Sequence, residues 1–544
     1  MRQCSSGLMC GFFGCLPMRS LTGSDRRGTM AVSSFGHVLD AVAAPAIAVL
    51  FFVAVQRCYP YDAFLRNPDE GHETMKALLV SHGYRLHDQI WNDQPPLFTH
   101  LLSICFRLFG PQIVYARSLV LLCAALLVFA VYDSVQRCWN HVAGLAAALG
   151  LVASTHFLPL SVSAMVGVPS LAFAMLSLWA LVRWRLADRR RWLVAAGLLM
   201  SMSLGIKLFT AFLVPVFAAW LLLVRWLERR EHAWQPALVW LSCVCVPTAI
   251  VLFTLVGPAN LEQLVGPHAA ARGAGVFADR LGVRILTQMV PADLPLVLLA
   301  GLGTLLIIMR RCWELALPPL WAAAALLCLL PHAPVWHHHY LLLTVAAAPC
   351  AGVAVAEVFG FRRRVDPAGA AAPAPVLLRV LGGGALLLLT YTVPISLAVS
   401  TSGDIVGWDN ARTTLNAMQR FAGATHFVLT DSPIYAFYAG LDTVPDLAVV
   451  SLKRINTGLL TSADVVGTLA RYEPEQVLLT GVFPAAISDP LVSAMRDRYT
   501  LVFSTAGLLP ARLYVRHDIV AQAIRNGASA AAVRPDPNLN HELH

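Results

Sequence analysis

From His141 to Val182, and again from Leu315 to Ala356, the chain carries no Asp, Glu, Lys or Arg. One ionised side chain at the centre of a bilayer costs roughly 2.5–3.5 kcal/mol on insertion scales. Charge-free runs of this length are what that penalty leaves behind, and each is long enough for two helices of about 20 residues. The rest of the chain agrees. Of its 544 residues 57% are hydrophobic and 13% charged, where soluble domains carry about 25% charged residues. The chain reads as an α-helical polytopic membrane protein.

Its net charge of +9 is concentrated in four arginine clusters: Arg183, Arg185, Arg189, Arg190 and Arg191; Arg225, Arg229 and Arg230; Arg310 and Arg311; Arg362, Arg363 and Arg364. All lie in short gaps between apolar runs, as cytoplasmic loops do under the positive-inside rule. The basicity is a topology signal and excludes a nucleic-acid footprint. Spans are expected near 39–56, 113–132, 141–158, 162–182, 191–204, 206–224, 236–256, 291–309, 313–331, 337–357 and 375–399, about eleven in all. With the arginines inside, the N-terminus is cytoplasmic and the C-terminal part lies outside. The apolar stretch Pro96–Phe109 is too short for a full span and reads as interfacial or re-entrant. The twelve cysteines have no regular spacing and read as small buried hydrophobes.

Four regions follow. Residues 1–34 are an N-terminal segment, with Met30 a candidate start. Residues 35–400 are the transmembrane domain, with an external loop at 57–112. Residues 401–524 alternate short strands (His426–Thr430, Gln476–Thr480, Leu501–Ser504, Leu513–Arg516) with helices (Asn410–Ala422, 463–472 and 490–499), the pattern of a small α/β layer domain. Residues 525–544 read as a disordered tail.

The external loop concentrates chemistry. It runs Asn67-Pro68-Asp69-Glu70-Gly71-His72-Glu73, then Trp91-Asn92-Asp93-Gln94-Pro95-Pro96-Leu97, with six acids between Arg57 and Pro96. By themselves these acids fit a solvated loop that caps helices. They also fit a general base at the lipid boundary, facing a lipid-borne substrate. Lys207 is the sole charge between Trp192 and Val224; it either serves a site or snorkels to the surface. His332, His337, His338 and His339 are a poor metal set, because adjacent helical residues point apart. Asp431, after a strand, reads as a strand-to-helix turn with an Asp or Ser cap rather than a ligand site.

Asp69-Glu70-Gly71 after the first span, Gly83, Gln94-Pro95-Pro96-Leu97 leading to Leu108-Phe109-Gly110, and Arg117 together resemble the start of GT-C glycosyltransferases. The nearest branch is family-39-like: protein O-mannosyltransferases, the aminoarabinose transferase of lipid A, and bacterial galacturonosyltransferase-like relatives. Gly197–Ala211 with Lys207, Gln263–His268 with Arg272, and His337–Leu342 with Pro349 extend the resemblance over residues 35–400.

The resemblance implies a polyprenyl-phosphate-linked sugar as donor, a lipid, glycan or protein acceptor, and inversion at the anomeric carbon at the periplasmic face of a bacterial inner membrane. It makes Asp69 the base, with Glu70 a second carboxylate. It assigns the donor phosphate to His72, Gln94, Lys207, His268, Arg272, His337, His339 and Tyr340. Two positions depart from the pattern: His72 stands where the aminoarabinose transferase has Arg, and Gln94 where many relatives have Lys or His. Met165-Val166-Gly167-Val168-Pro169 lacks a second acid that relatives often carry, so a divalent metal has no support. A transporter or flippase, or a non-catalytic polysaccharide-assembly protein, is the rival reading. A transporter would more often show paired repeats and mid-membrane charges.

Overall fold

The charge-free runs are helical in a computed structural model, which describes residues 30–59, 62–229, 232–273, 275, 277–361, 376, 379–387, 407–505 and 510–525. The described residues up to Ala46 belong to one compact unit and those from Ile47 onward to a second, which holds everything described below except the start of α1. The helices are α1 (Met30–Cys58), α2 (Pro68–Ser81), α3 (Leu97–Phe109), α4 (Ile113–Cys138), α5 (His141–Val152), α6 (Phe157–Ser161), α7 (Gly167–Ala187), α8 (Arg190–Ile206), α9 (Leu213–Leu227), α10 (Gln235–Val251), α11 (Glu262–Gly273), α12 (Gly282–Met289), α13 (Leu294–Met309), α14 (Leu317–Leu329) and α15 (Leu341–Val358). Among the described residues, five stretches are long and apolar enough to cross a membrane: Ile113–Cys138, Gly167–Ala187, Leu208–Leu227, Gln235–Val256 and His337–Val358. α12 and α13 form a pair bent by 100°. The expected span at 375–399 and the expected tail lie largely outside the described residues.

In the run His141–Val182, α5 starts at the expected residue but ends at Val152 instead of 158, and the second long helix, α7, starts at Gly167 instead of 162. Hydroxyls in the connection bond their own backbone: Ser154 to the Leu151 carbonyl (2.8 Å), Ser161 to Leu158 (2.7 Å) and Ser163 to Pro159 (2.8 Å). Such bonds compete with regular helix, and α6 is a five-residue fragment between bends. Small residues set helix contacts elsewhere. A side chain at Gly197 of α8 would meet the Trp240 carbonyl of α10 at 2.8 Å. This is how membrane helices approach closely without a hydrophobic drive between them.

The charged ends of the bundle gather on one side. Arg137 and Arg183 meet Asp133 (2.6 and 3.5 Å), Arg185 meets Glu228 (2.6 Å), Arg225 meets Asp188 (2.5 Å) and Arg310 meets Glu357 (2.8 Å). These groups sit at the C-terminal ends of α4, α7, α9, α13 and α15. Lys207, at the C-terminal end of α8, and His337–Tyr340, just before α15, therefore lie at the opposite end.

The C-terminal part contains a five-stranded sheet in the order β2-β1-β3-β5-β4. Its strands are β1 (Phe427–Thr430), β2 (Asp442–Thr443), β3 (Gln476–Leu479), β4 (Tyr499–Thr505) and β5 (Ala511–Arg516). β1 pairs parallel with β2 and β3, while β5 pairs antiparallel with β3 and β4. The four expected strands are present. β2, two residues long, carries no pattern a sequence could show. The helix expected at 490–499 is Ala485–Met495, because Tyr499 already belongs to β4. Asp431-Ser432 forms the expected strand-to-helix turn, with Ser432 at the N-cap position of Pro433–Ala439, but the Ser432 side chain makes no capping hydrogen bond. The Asp431 carboxylate instead accepts from the backbone of Thr480 (2.8 Å), Val482 (2.8 Å) and Phe483 (3.0 Å), and so ties β1 to the loop after β3.

This sheet domain docks on the external loop. Phe64 packs between Tyr435 and Tyr438 (4.8 and 4.9 Å), Tyr438 donates to the Phe64 carbonyl (2.9 Å), and Trp408 donates to Asp62 (2.7 Å). The helix Pro433–Ala439 rests directly on α2 at Gly71, where an added Cβ would lie 3.0 Å from both the Cβ and the backbone nitrogen of Ile434. Gly71→Val is expected to destabilise the protein by about 1–3 kcal/mol through overpacking. Thermal unfolding, and faster proteolysis within 407–525, would report it.

Candidate active site

The sequence Asn67-Pro68-Asp69-Glu70 is a helix start. Asn67 accepts from the Asp69 backbone (3.0 Å), Pro68 fills the first helical position, and two acids face the positive end of α2. At 3.6 residues per turn, neighbours diverge by about 100°, and this separates the two carboxylates. Glu70 is fully buried. Its oxygens accept from Arg117 Nε and Nη2 (3.0 Å each) and from the backbone of Arg66 (2.9 Å) and Ala164 (2.8 Å). With four donors and no exposed surface it ties α2 to α4.

Asp69 faces the other way. Its side chain is 48% exposed, yet His72 Nδ1 lies 3.7 Å away, and the charges of His338 and Lys207 act on it. Burial pushes its pKa up, but the neighbouring His72 imidazole, with Lys207 behind, holds it at about 2. The carboxylate is therefore ionised at neutral pH and reachable by solvent at the edge of the bundle.

Lys207 terminates α8. Its backbone leaves the helix for an extended conformation (φ −153°, ψ 121°), and Ser203, Thr210 and Ser170 knit the break with hydroxyl contacts of 2.9–3.5 Å. The ammonium lies 6.0 Å from the Phe209 ring centre and has no hydrogen-bond or ion-pair partner among the described residues. Asp69, Lys453, Asp93 and Glu73 all act on it electrostatically. Beginning at Leu204, an apolar furrow of about 300 Å³ runs between α8, α9 and α10, past Val214, Val244, Thr248 and Leu252.

The remaining expected residues separate into near and far. Gln94 sits beside Asp93, to which its amide donates at 3.3 Å. Asp93 is ion-paired with Lys453, from the helix Leu452–Asn456 of the sheet domain, and lies 3.8 Å from His268. Burial and the Lys453 charge push His268 down to about 4, so it is neutral at neutral pH. Arg272 is exposed and bonded to His332 (2.8 Å). His337 is exposed and stacks on His156 (6.3 Å), His339 stacks on Phe209 (4.6 Å) while accepting from the Trp336 backbone (3.2 Å), and Tyr340 is buried. The contacts of Arg272, His337, His339 and Tyr340 are thus with side chains and backbone other than Asp69.

Two residues outside the expected set stand at the site. His338 lies close enough to Asp69 to act on it electrostatically. Lys453 reaches in from the C-terminal domain. One signal was available for it: the chain has only three lysines, Lys76, Lys207 and Lys453. Lys76, buried, is held by Glu73 and Asn92 (2.8 Å each) beside the same loop.

The helical bundle with a sheet domain docked on the loop after its first helix is a fold shared with solved GT-C glycosyltransferases. Residues 93–250 match the family model described as dolichyl-phosphate-mannose-protein mannosyltransferase. The structure is similar to that of ArnT from Cupriavidus metallidurans bound to undecaprenyl phosphate (TM-score 0.55, 15% identity, covering 89% of this chain and 98% of that one). It is also similar to the archaeal oligosaccharyltransferase AglB from Archaeoglobus fulgidus in complex with an inhibitory peptide and a dolichol-phosphate (TM-score 0.53, 12% identity, covering 88% and 74%). No curated protein matches the chain in sequence. The resemblance read from Asp69-Glu70-Gly71 onward is borne out, as a fold shared over most of the chain and a family match over 93–250.

Proposed function

We propose that the protein moves a sugar from a polyprenyl-phosphate donor to an acceptor hydroxyl, inverting the anomeric carbon, at the periplasmic face of a bacterial inner membrane. The observation that carries this reading is the half-exposed Asp69 carboxylate within the field of Lys207, whose ammonium has no hydrogen-bond or ion-pair partner among the described residues. The arginine-rich end then faces the cytoplasm, residues 35–400 form the transferase unit, and 401–524 stand outside.

In this reading the acceptor O–H gives its proton to Asp69 as the oxygen attacks the anomeric carbon from the side opposite the phosphate. The carbon–oxygen bond to phosphate breaks, and a phosphodiester bearing one negative charge becomes a monoester bearing two. A cation waiting at the leaving oxygen favours the product-like state more than the substrate, which is the condition for catalysis. Lys207 holds that position, and the furrow takes the lipid chain. The donor's own links to this chain rest on analogy with ArnT and AglB.

Proteoliposomes containing the purified protein and a panel of polyprenyl-phosphate sugars test the reading. Sugar-bearing product and released polyprenyl phosphate, with inverted anomeric configuration, are expected. Movement of intact lipid between leaflets with no bond formed would instead support a flippase. Lys207→Met is expected to weaken binding of undecaprenyl phosphate about tenfold, the lower end for a charged hydrogen bond, as measured by titration in detergent micelles.

A further inference from the structure

Every basic residue of this chain apart from three is arginine, out of forty Lys and Arg in total, and all three lysines border the same space. Lys76 is committed to Glu73 and Asn92 and is 2% exposed. Lys207 is free. Lys453 stands between these cases. Its ammonium pairs with Asp93, it lies 3.4–3.5 Å from both ring nitrogens of His268, and its charge is felt at Lys207. The next residue, Arg454, is locked by contrast. Its guanidinium covers the Trp91 ring at 4.6 Å and donates to the carbonyls of Asp446 (2.8 Å) and Val449 (3.0 Å). The short helix Leu452–Asn456 is thus anchored on the external loop through Arg454, while the Lys453 stem points to the cluster of Asp93, His268 and Lys207.

We propose that Lys453 is a second cation for the lipid-linked phosphate, contributed by the C-terminal domain and held by Asp93 until the phosphate takes its second charge. The inference rests on the transferase reading above. An ammonium has three donors on a flexible four-carbon stem, so Lys453 can keep Asp93 and still donate to a phosphate oxygen. Asp93 has a second task in this arrangement: it stabilises a cation that would otherwise stand close to Lys207 and repel it. Gln94, next along the chain, is neutral and turned to Asp93, so the loop itself supplies no positive charge at that point. The domain beyond residue 400 is then part of the site and not an appendix, because the free cations of the site come from both sides of the domain boundary.

The test compares full-length Lys453→Met and Asp93→Asn, with undecaprenyl phosphate and uncharged undecaprenol as probes in detergent micelles. Lys453→Met is expected to bind the phosphate roughly 10- to 100-fold more weakly with undecaprenol affinity and unfolding temperature unchanged. Asp93→Asn, which breaks the same ion pair but keeps the cation, is expected to bind the phosphate at least as tightly as the unmodified protein. Equal weakening by both variants, or a matching fall in undecaprenol binding, would make the pair a docking strut and overturn the inference. Failure of the unmodified protein to bind the phosphate at all would instead remove the transferase reading on which it stands. If Lys207→Met weakens binding and Lys453→Met does not, the reading stands and this inference alone falls.

Discussion

Asp69→Asn is expected to lower sugar transfer by about 10²- to 10⁴-fold, the range for loss of a positioned general base, with the unfolding temperature and undecaprenyl phosphate affinity preserved. The substitution keeps the shape of the side chain and the helix start, since Asn67 bonds the backbone of residue 69 and not its carboxylate. What is lost is the proton acceptor. Transfer at the full rate by this variant would reject Asp69 as the base. The pH profile carries a second reading of the same group. Asp69 is held at about 2, with His72 the chief stabiliser of its charge. Protonation of Asp69 therefore belongs far on the acid side, and the rate near neutrality should not depend on it. Replacing His72 with Phe removes the neighbouring imidazole and leaves the burial, so the Asp69 pKa rises and the acid limb of the profile moves to higher pH.

Much of this was legible in the chain because lipid is an unforgiving solvent. The absence of charge from His141–Val182 and Leu315–Ala356 leaves no other placement for those residues, and the arginines mark one end of the bundle whatever the details of packing. Where helices stop is another matter. The break between α5 and α7 depends on hydroxyls of Ser154, Ser161 and Ser163 that a lipid-facing helix could equally have absorbed. The site was half legible. Lys207 stands out as a charge where charge is costly, whereas Asp69 is singled out among the loop's six acids only by the family resemblance. The histidine row did not reveal its phase, because which neighbours His337, His338 and His339 meet depends on the short helical turn Trp336 begins. Lys453 lies 360 residues from Asp93, and no local pattern connects them.

Glu70 shows how one residue of helix phase changes a role, and it carries the largest expected loss of stability. Glu70→Gln keeps the size of the side chain but leaves the Arg117 guanidinium, 1% exposed, without its carboxylate. Removing one partner of a buried ion pair costs about 3–5 kcal/mol, here compounded by the backbone N–H groups of Arg66 and Ala164, which lose a charged acceptor. The variant is expected to unfold at a markedly lower temperature in detergent and to yield little protein, while the folded fraction transfers sugar at close to the unmodified rate per molecule. A doubly substituted Glu70→Leu, Arg117→Met protein is expected to recover part of the loss, because two apolar groups demand no desolvation of charge. The opposite outcome, a Glu70→Gln protein of full thermal stability with no transfer, would return Glu70 to the chemistry and undo the division of labour between the two adjacent carboxylates. That division follows from where α2 begins. With Asn67 as the cap and Pro68 in the first turn, position 69 lies on the side of Lys207 and position 70 in the interior, and a start one residue later would put Glu70 in the first place and Gly71 in the second.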